Sequence, residues 1–189
     1  MVMNRRQVLL TVPALVISPL GYTAVTRPDQ VYPDLWAEPR VVRLLNANTG
    51  RHGEFCYWRD GDWNMPEYIG LSALLLDHRE GQAVQLQPAL FDLMFASQRW
   101  YEMAQGKKTK TIVTSGYRTP RTNALVGGVP GGRHPQAAAL DGWLENVSLS
   151  VYAQMLKAFG AGGVGLYARH VHWDVGRPPA FWHGSYKES

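Results

Sequence analysis

The amino-acid sequence predicts an α+β domain: a small antiparallel sheet with flanking helices. Three observations predict it. Strand-like and helix-like segments mix along the chain without a regular βαβ alternation. Hairpin signals join neighbouring strand-like runs, as antiparallel pairing requires. The chain has 189 residues, 46% hydrophobic and 18% charged, with Trp 7, Tyr 9 and Phe 5. That composition fills one core of ordinary size, and it excludes a disordered tail, a low-complexity chain and a coiled coil.

Residues 1–25 read as an export signal. Arg5 and Arg6 precede an apolar stretch, Val8 to Leu20, that is interrupted by Pro13 and Pro19. Its 13 residues fall short of the ~20 that span a bilayer, so no stable membrane span is expected once the signal is cleaved. Asn4-Arg5-Arg6-Gln7-Val8-Leu9-Leu10 is similar to a twin-arginine signal, which places the mature protein in the periplasm or cell wall. Residues 26–39, with Pro28, Pro33 and Pro39, read as a linker, and residues 40–189 as the domain.

Within the domain, Val41 to Leu45 and Glu54 to Trp58 are strand-like and flank a loop containing Gly50 and His52. Asp60-Gly61-Asp62 is a turn. Leu71, Leu74, Leu75 and His78 recur at helical spacing and predict a helix over 67–78. Pro88 opens a second helix, striped by Leu90, Leu93, Met94, Ser97 and Tyr101 and ending near Gly106. Lys110 to Thr114 is a strand, and Ser115 to Pro120 a turn into a short helix. The Gly127–Gly132 segment is a loop. Ala137 to Trp143 is a strand, Ser148 caps a helix running to Phe159, and Val164–Tyr167 and His170–Val175 complete the sheet. His183 lies in a solvated tail.

The net charge is +4, from 19 basic and 15 acidic residues. No run of like charges is present, so no nucleic-acid partner is expected. Cys56 is the single cysteine. It excludes an intrachain disulfide and a cysteine-based zinc cluster, and its apolar neighbours mark it as a buried, inert thiol.

The chemistry concentrates in two segments. In His170-Val171-His172-Trp173-Asp174, alternate residues share a strand face, so His170, His172 and Asp174 point together and Val171, Trp173 and Val175 point into the core. In His134-Pro-Gln-Ala-Ala-Ala-Leu-Asp141, a loop histidine precedes a strand in which Ala137, Ala139 and Asp141 share a face. A carboxylate in so apolar a strand needs a partner or a metal. His134, Asp141 and one of the strand histidines make a three-donor set of the kind zinc accepts, with a fourth position left for water. The structural alternative for the strand segment is a solvated sheet edge.

Ser115-Gly116-Tyr117-Arg118, His134 with Asp141, and His172-Trp173-Asp174-Val175-Gly176-Arg177 together resemble the zinc peptidases of bacterial cell-wall metabolism. The closest likeness is to the YcbK/MepK-type murein endopeptidases, which share a fold with D-Ala-D-Ala peptidases and the hedgehog signalling domain. The resemblance covers most of residues 40–182. It implies His134, Asp141 and His172 as zinc ligands, Arg118 with Ser115 on the substrate side, and peptidoglycan as partner and substrate. The pattern departs at Gly132, where Ser is usual, and at Ala137, where Gly is usual. Many members of the wider group carry a glutamate three residues before the last histidine; Arg169 stands there, which leaves His170 and Asp174 as the candidate catalytic residues. The implied function is zinc-dependent hydrolysis of amide bonds in stem peptides or cross-links, by an endopeptidase or a D,D-carboxypeptidase. The alternative is a non-catalytic metal-containing module that binds peptidoglycan or a protein.

Overall fold

The computed structural model describes residues 35–184 and, before them, the backbone of a two-residue antiparallel pair, β1 (Val16–Ile17) with β2 (Thr23–Ala24). The rest of the expected export signal, and residues 26–34 of the expected linker, lie outside the described residues. Among the described residues no helix is long and apolar enough to cross a membrane. Leu35 and Trp36 already pack on the core, Trp36 against Phe95 with 5.9 Å between ring centroids.

The class is α+β, but the sheet is larger and less uniform than expected. Eight strands run in the order β10-β8-β9-β7-β6-β3-β4-β5. They are β3 (Arg40–Asn46), β4 (His52–Arg59), β5 (Asp62–Trp63), β6 (Thr111–Ser115), β7 (Ala139–Leu144), β8 (Gly163–Leu166), β9 (Val171–Asp174) and β10 (Ala180–His183). The sheet is mixed: β3–β6 and β10–β8 pair in parallel, the other neighbours antiparallel. The parallel β3–β6 pair follows from what lies between those strands, a helical excursion of the kind parallel strands need.

Two helices set the core. α2 (Pro88–Gln105) begins on its proline and stops at Gly106, whose φ of 64° is the left-handed stop expected after a helix. α4 (Leu149–Ala158) starts at Ser148, whose hydroxyl accepts from Val151 N. Both contact β7 and each other, so they cover one face of the sheet. Leu140, Leu144, Val171 and Trp173 are fully buried, and Trp173 meets Tyr152 of α4 edge-on at 5.5 Å. The period of two then sends Asp141, His172 and Asp174 to the opposite face.

The first helix is α1 (Met65–Ala73), shorter than the expected 67–78. Leu74 and Leu75 keep the apolar rhythm because both are buried, but tertiary partners take their carbonyls. Asn46 Nδ2 donates to Leu74 O at 2.6 Å and Tyr117 N to Leu75 O at 2.9 Å. Asp77 then folds back on Arg79 N and Glu80 N, an Asx turn that competes with helix. α3 (Pro120–Leu125) is the short helix after the Ser115–Pro120 turn, capped by Thr119.

Further expectations change. β7 starts at Ala139, not Ala137: Ala137 has φ of 55° and closes a turn through its N–H to His134 O. β9 spans Val171–Asp174, which leaves His170 in the hairpin just before it. His183 is exposed yet belongs to β10, and His52 is exposed at the start of β4. Cys56 is only half-buried.

Candidate metal centre

Strand register builds the site. Asp141 on β7 lies directly opposite His172 on β9, and Ser115 at the end of β6 lies opposite Asp141 on its other side. The turn after Ser115 supplies Gly116 and Arg118, and the loop after α3 brings in His134. Gly116 passes so close to Leu75 that a side chain there would overlap the Leu75 carbonyl.

His134, Asp141 and His172 converge, each offering one donor atom within 4.8 Å of the others. His134 and Asp141 are each only 6% exposed. His134 Nδ1 lies 2.8 Å from the Gly116 carbonyl, so that nitrogen carries the proton and donates. Its Nε2 is then a bare lone pair, 3.2 Å from Asp141 Oδ2. His172 touches two carboxylates, Nδ1 to Asp141 Oδ1 at 2.8 Å and Nε2 to Asp174 Oδ2 at 3.2 Å. A neutral imidazole has one N–H, so two neutral rings cannot fill all four contacts with protons. Acceptor faces acceptor unless a cation stands between them. The donor set therefore fits a metal: imidazole nitrogens from His134 (Nε2) and His172 (Nδ1), and a carboxylate oxygen from Asp141, with the two remaining ring nitrogens held by Gly116 O and Asp174.

The electrostatics agree. Burial alone would raise the pKa of Asp141, but once a proton fills the His134 contact, the positive field of His134 and hydrogen bonds from His134 and His172 hold it well below the ordinary carboxylate range. Burial alone would lower that of His172; its bonds to Asp141 and Asp174 raise it instead. In the absence of a metal, a proton is drawn to the place a cation would take.

Asp174, 1% exposed, is fully engaged. It accepts from Arg177 Nε at 2.8 Å and from Gly163 N at 2.8 Å on Oδ1, and on Oδ2 meets Arg177 Nη2 at 2.7 Å as well as His172. Arg118 donates from Nη2 to Asp141 Oδ2 at 2.5 Å and from Nε to Ser115 Oγ at 2.7 Å. His170 lies outside the strand, half-buried, and burial lowers its pKa while Asp141 opposes that effect; His172, Arg118 and His134 also act on it, so it stands in the field of the whole site.

Sequence reasoning missed four contributors: the Gly116 carbonyl, Arg177, Trp182 and Asp77. A carbonyl acceptor has no sequence signature. Arg177 carried a signal, since Asp174 and Arg177 stand three residues apart with Gly176 between. Trp182 was hidden because its neighbour His183 read as part of a solvated tail. Asp77 fell inside the expected helix over 67–78 with no role of its own, yet it is 1% exposed and its Oδ2 accepts from Thr119 N, next to Arg118, at 2.9 Å.

A family model described as peptidoglycan L,D-endopeptidase MepK matches residues 35–181. The chain is 28% identical over 151 residues to the peptidoglycan L,D-endopeptidase MepK of Escherichia coli (strain K12), covering 76% of this chain and 80% of that protein. It is 28% identical over 159 residues to the probable peptidoglycan L,D-endopeptidase MepK of Haemophilus influenzae, covering 78% and 81%. The matched region contains every residue of the converging donor set, and the chain belongs to the MepK family of peptidoglycan endopeptidases.

Proposed function

We propose that this chain is a zinc-dependent endopeptidase that hydrolyses an L,D-amide bond in peptidoglycan, outside the cytoplasm. One observation carries the reading: Asp141, His134 and His172 aim acceptor atoms at each other with too few protons to fill the contacts. The L,D specificity rests on the names of the relatives. Two imidazoles and a carboxylate suit zinc with an open position. The antiparallel run β6–β7–β9–β8 that carries the donors supports the likeness to the D-Ala-D-Ala peptidase and hedgehog group.

Bound there, zinc supplies Lewis acidity, polarising the scissile carbonyl and lowering the pKa of water towards ~7. The chain's own side chains do the rest. Ser115 fixes the Arg118 guanidinium through Nε, and the fork's remaining donors hold a substrate carbonyl or carboxylate. Ser115 thus serves the substrate through Arg118. His170 accepts the water proton or stabilises the oxyanion. Asp174 is the weaker base, because Arg177, Gly163 and His172 already occupy its oxygens; it holds the His172 ring.

The test uses purified muropeptide dimers joined by either an L,D or a D,D linkage. The expected result is cleavage of the L,D dimer alone, abolished by chelation. Cleavage of D,D linkages or trimming of terminal D-Ala would assign the carboxypeptidase side of the group instead. Stoichiometric zinc with no cleavage of either dimer favours the binding-module reading. Export is tested separately: replacing Arg5 and Arg6 by Lys leaves precursor in the cytoplasm if the twin-arginine route is used.

A further inference from the structure

The sheet face that carries the metal donors continues past them. Register aligns Asp141 (β7), His172 (β9), Gly165 (β8) and Trp182 (β10) in one row across four strands. Gly165 leaves the row open: a Cβ there would stand 2.6 Å from Trp182 Cε2 and Nε1. The indole lies across that gap, 5.4 Å from the His172 ring, with the Arg177 guanidinium 5.0 Å from its centroid. Trp182 Nε1 donates to Tyr167 Oη at 3.1 Å. The Tyr167 ring in turn stacks on His170, 4.6 Å between centroids and 13° from parallel. Gly184 makes room for Tyr167 as Gly165 does for Trp182. The hairpin is closed by Tyr167 N donating to His170 O at 3.0 Å, so the two rings are tied at the backbone as well.

We propose that Tyr167 and Trp182 are positioning residues that set the ring orientation of His170, with Tyr167 acting by direct stacking and Trp182 by holding the Tyr167 hydroxyl. This rests on the reading of His170 as base or oxyanion stabiliser. The physical reason is that His170 sits in a hairpin rather than on the strand, so its backbone alone does not aim the imidazole. A flat ring parallel to it removes the rotations that would swing it out of that orientation. Trp182 is fixed over the gap at Gly165 by the His172 ring, the Arg177 guanidinium and the Tyr167 hydroxyl, so the order of the sheet edge is passed to the hairpin. β10 then has a task beyond closing the sheet.

The test compares Tyr167→Phe, Tyr167→Leu and Trp182→Phe with the zinc-loaded wild type. Two readouts are used: proton chemical shifts of the His170 ring, and steady-state kinetics on the peptidoglycan dimer. Zinc content and melting temperature are measured alongside. Tyr167→Phe keeps the ring but loses the hydroxyl that Trp182 holds, so it should shift the His170 ring protons and lower turnover slightly, by less than Tyr167→Leu. Tyr167→Leu removes the ring current: the His170 protons move downfield, and kcat falls ~10- to 100-fold with KM and zinc content little changed, the scale expected for a misplaced catalytic group. Trp182→Phe gives a smaller change of the same kind. Unmoved His170 resonances in Tyr167→Leu would overturn the stack. Normal turnover of Tyr167→Leu, in a protein whose His170→Ala is inactive, would overturn the positioning role. A fully active His170→Ala refutes the underlying assignment and this inference with it.

Discussion

Replacing Asp77 by Asn should unfasten the turn behind Arg118, and the size of the effect can be worked out. Burial alone would raise the Asp77 pKa. Hydrogen bonds from the Thr122 side chain and from the backbone of Thr119, Arg79 and Glu80 outweigh that and lower it from 3.8 to about 2. Because the folded value is depressed, its stabilisation is complete above the unfolded value and is lost as pH falls from 3.8 towards about 2. At about 1.4 kcal/mol per pH unit, that gap corresponds to about 2.5 kcal/mol at neutral pH. Asn keeps one acceptor oxygen but turns an NH₂ towards either Thr119 N or the Arg79 and Glu80 pair, leaving donor against donor. Asp77→Asn should therefore destabilise the fold by about 2–3 kcal/mol at pH 7. The difference from wild type should shrink as pH approaches 2. Denaturant unfolding of metal-free protein at a series of pH values measures both. A difference below about 0.5 kcal/mol at pH 7, or one that does not change with pH, would show that the Asp77 carboxylate does not fasten this turn.

Other substitutions separate the parts of the site. His172→Ala should lose the metal, while His170→Ala should keep it and lose about 10²–10⁴ in turnover; metal analysis beside kinetics tells them apart. Gly163→Ala drives a methyl into Asp174 and Arg177 and should lower metal affinity about 10- to 100-fold through His172, read by chelator competition. Ala137→Gly relieves a left-handed backbone at φ of 55° and should raise stability by about 0.5 kcal/mol, seen as a small rise in Tm.

His134 and Asp141 were legible in their own segments, with one of the strand histidines as the third donor; the resemblance to the cell-wall peptidases is what singled out His172. Period-two alternation sent Asp141 and His172 to one face and Trp173 to the core, and the β7–β9 register does place the two donors opposite each other. What alternation cannot reveal is a partner. Nothing in the Asp174 neighbourhood says that four donors saturate it, because Gly163 N arrives from another strand. The helix end at Ala73 was invisible for a similar reason: Leu74 and Leu75 stay buried, and only the capture of their carbonyls by Asn46 and Tyr117 shows that the helix has stopped. The size of the sheet escaped because β5 and β10 are short edge strands whose existence depends on their neighbours. Ala137 is the opposite case. Glycine is usual there, and its positive φ supplies the reason.

On the proposed function, metal held by His134, Asp141 and His172 drives peptidoglycan hydrolysis. The most direct measurement is mass-spectrometric analysis of peptides released from purified sacculi. The digest is run with metal-free protein, with the same protein after one equivalent of zinc, and with zinc-treated Asp141→Asn. The zinc-restored wild type should release soluble muropeptides and the other two none. Equal release from the metal-free protein, or no release from a wild type shown to hold its zinc, would contradict the proposed function.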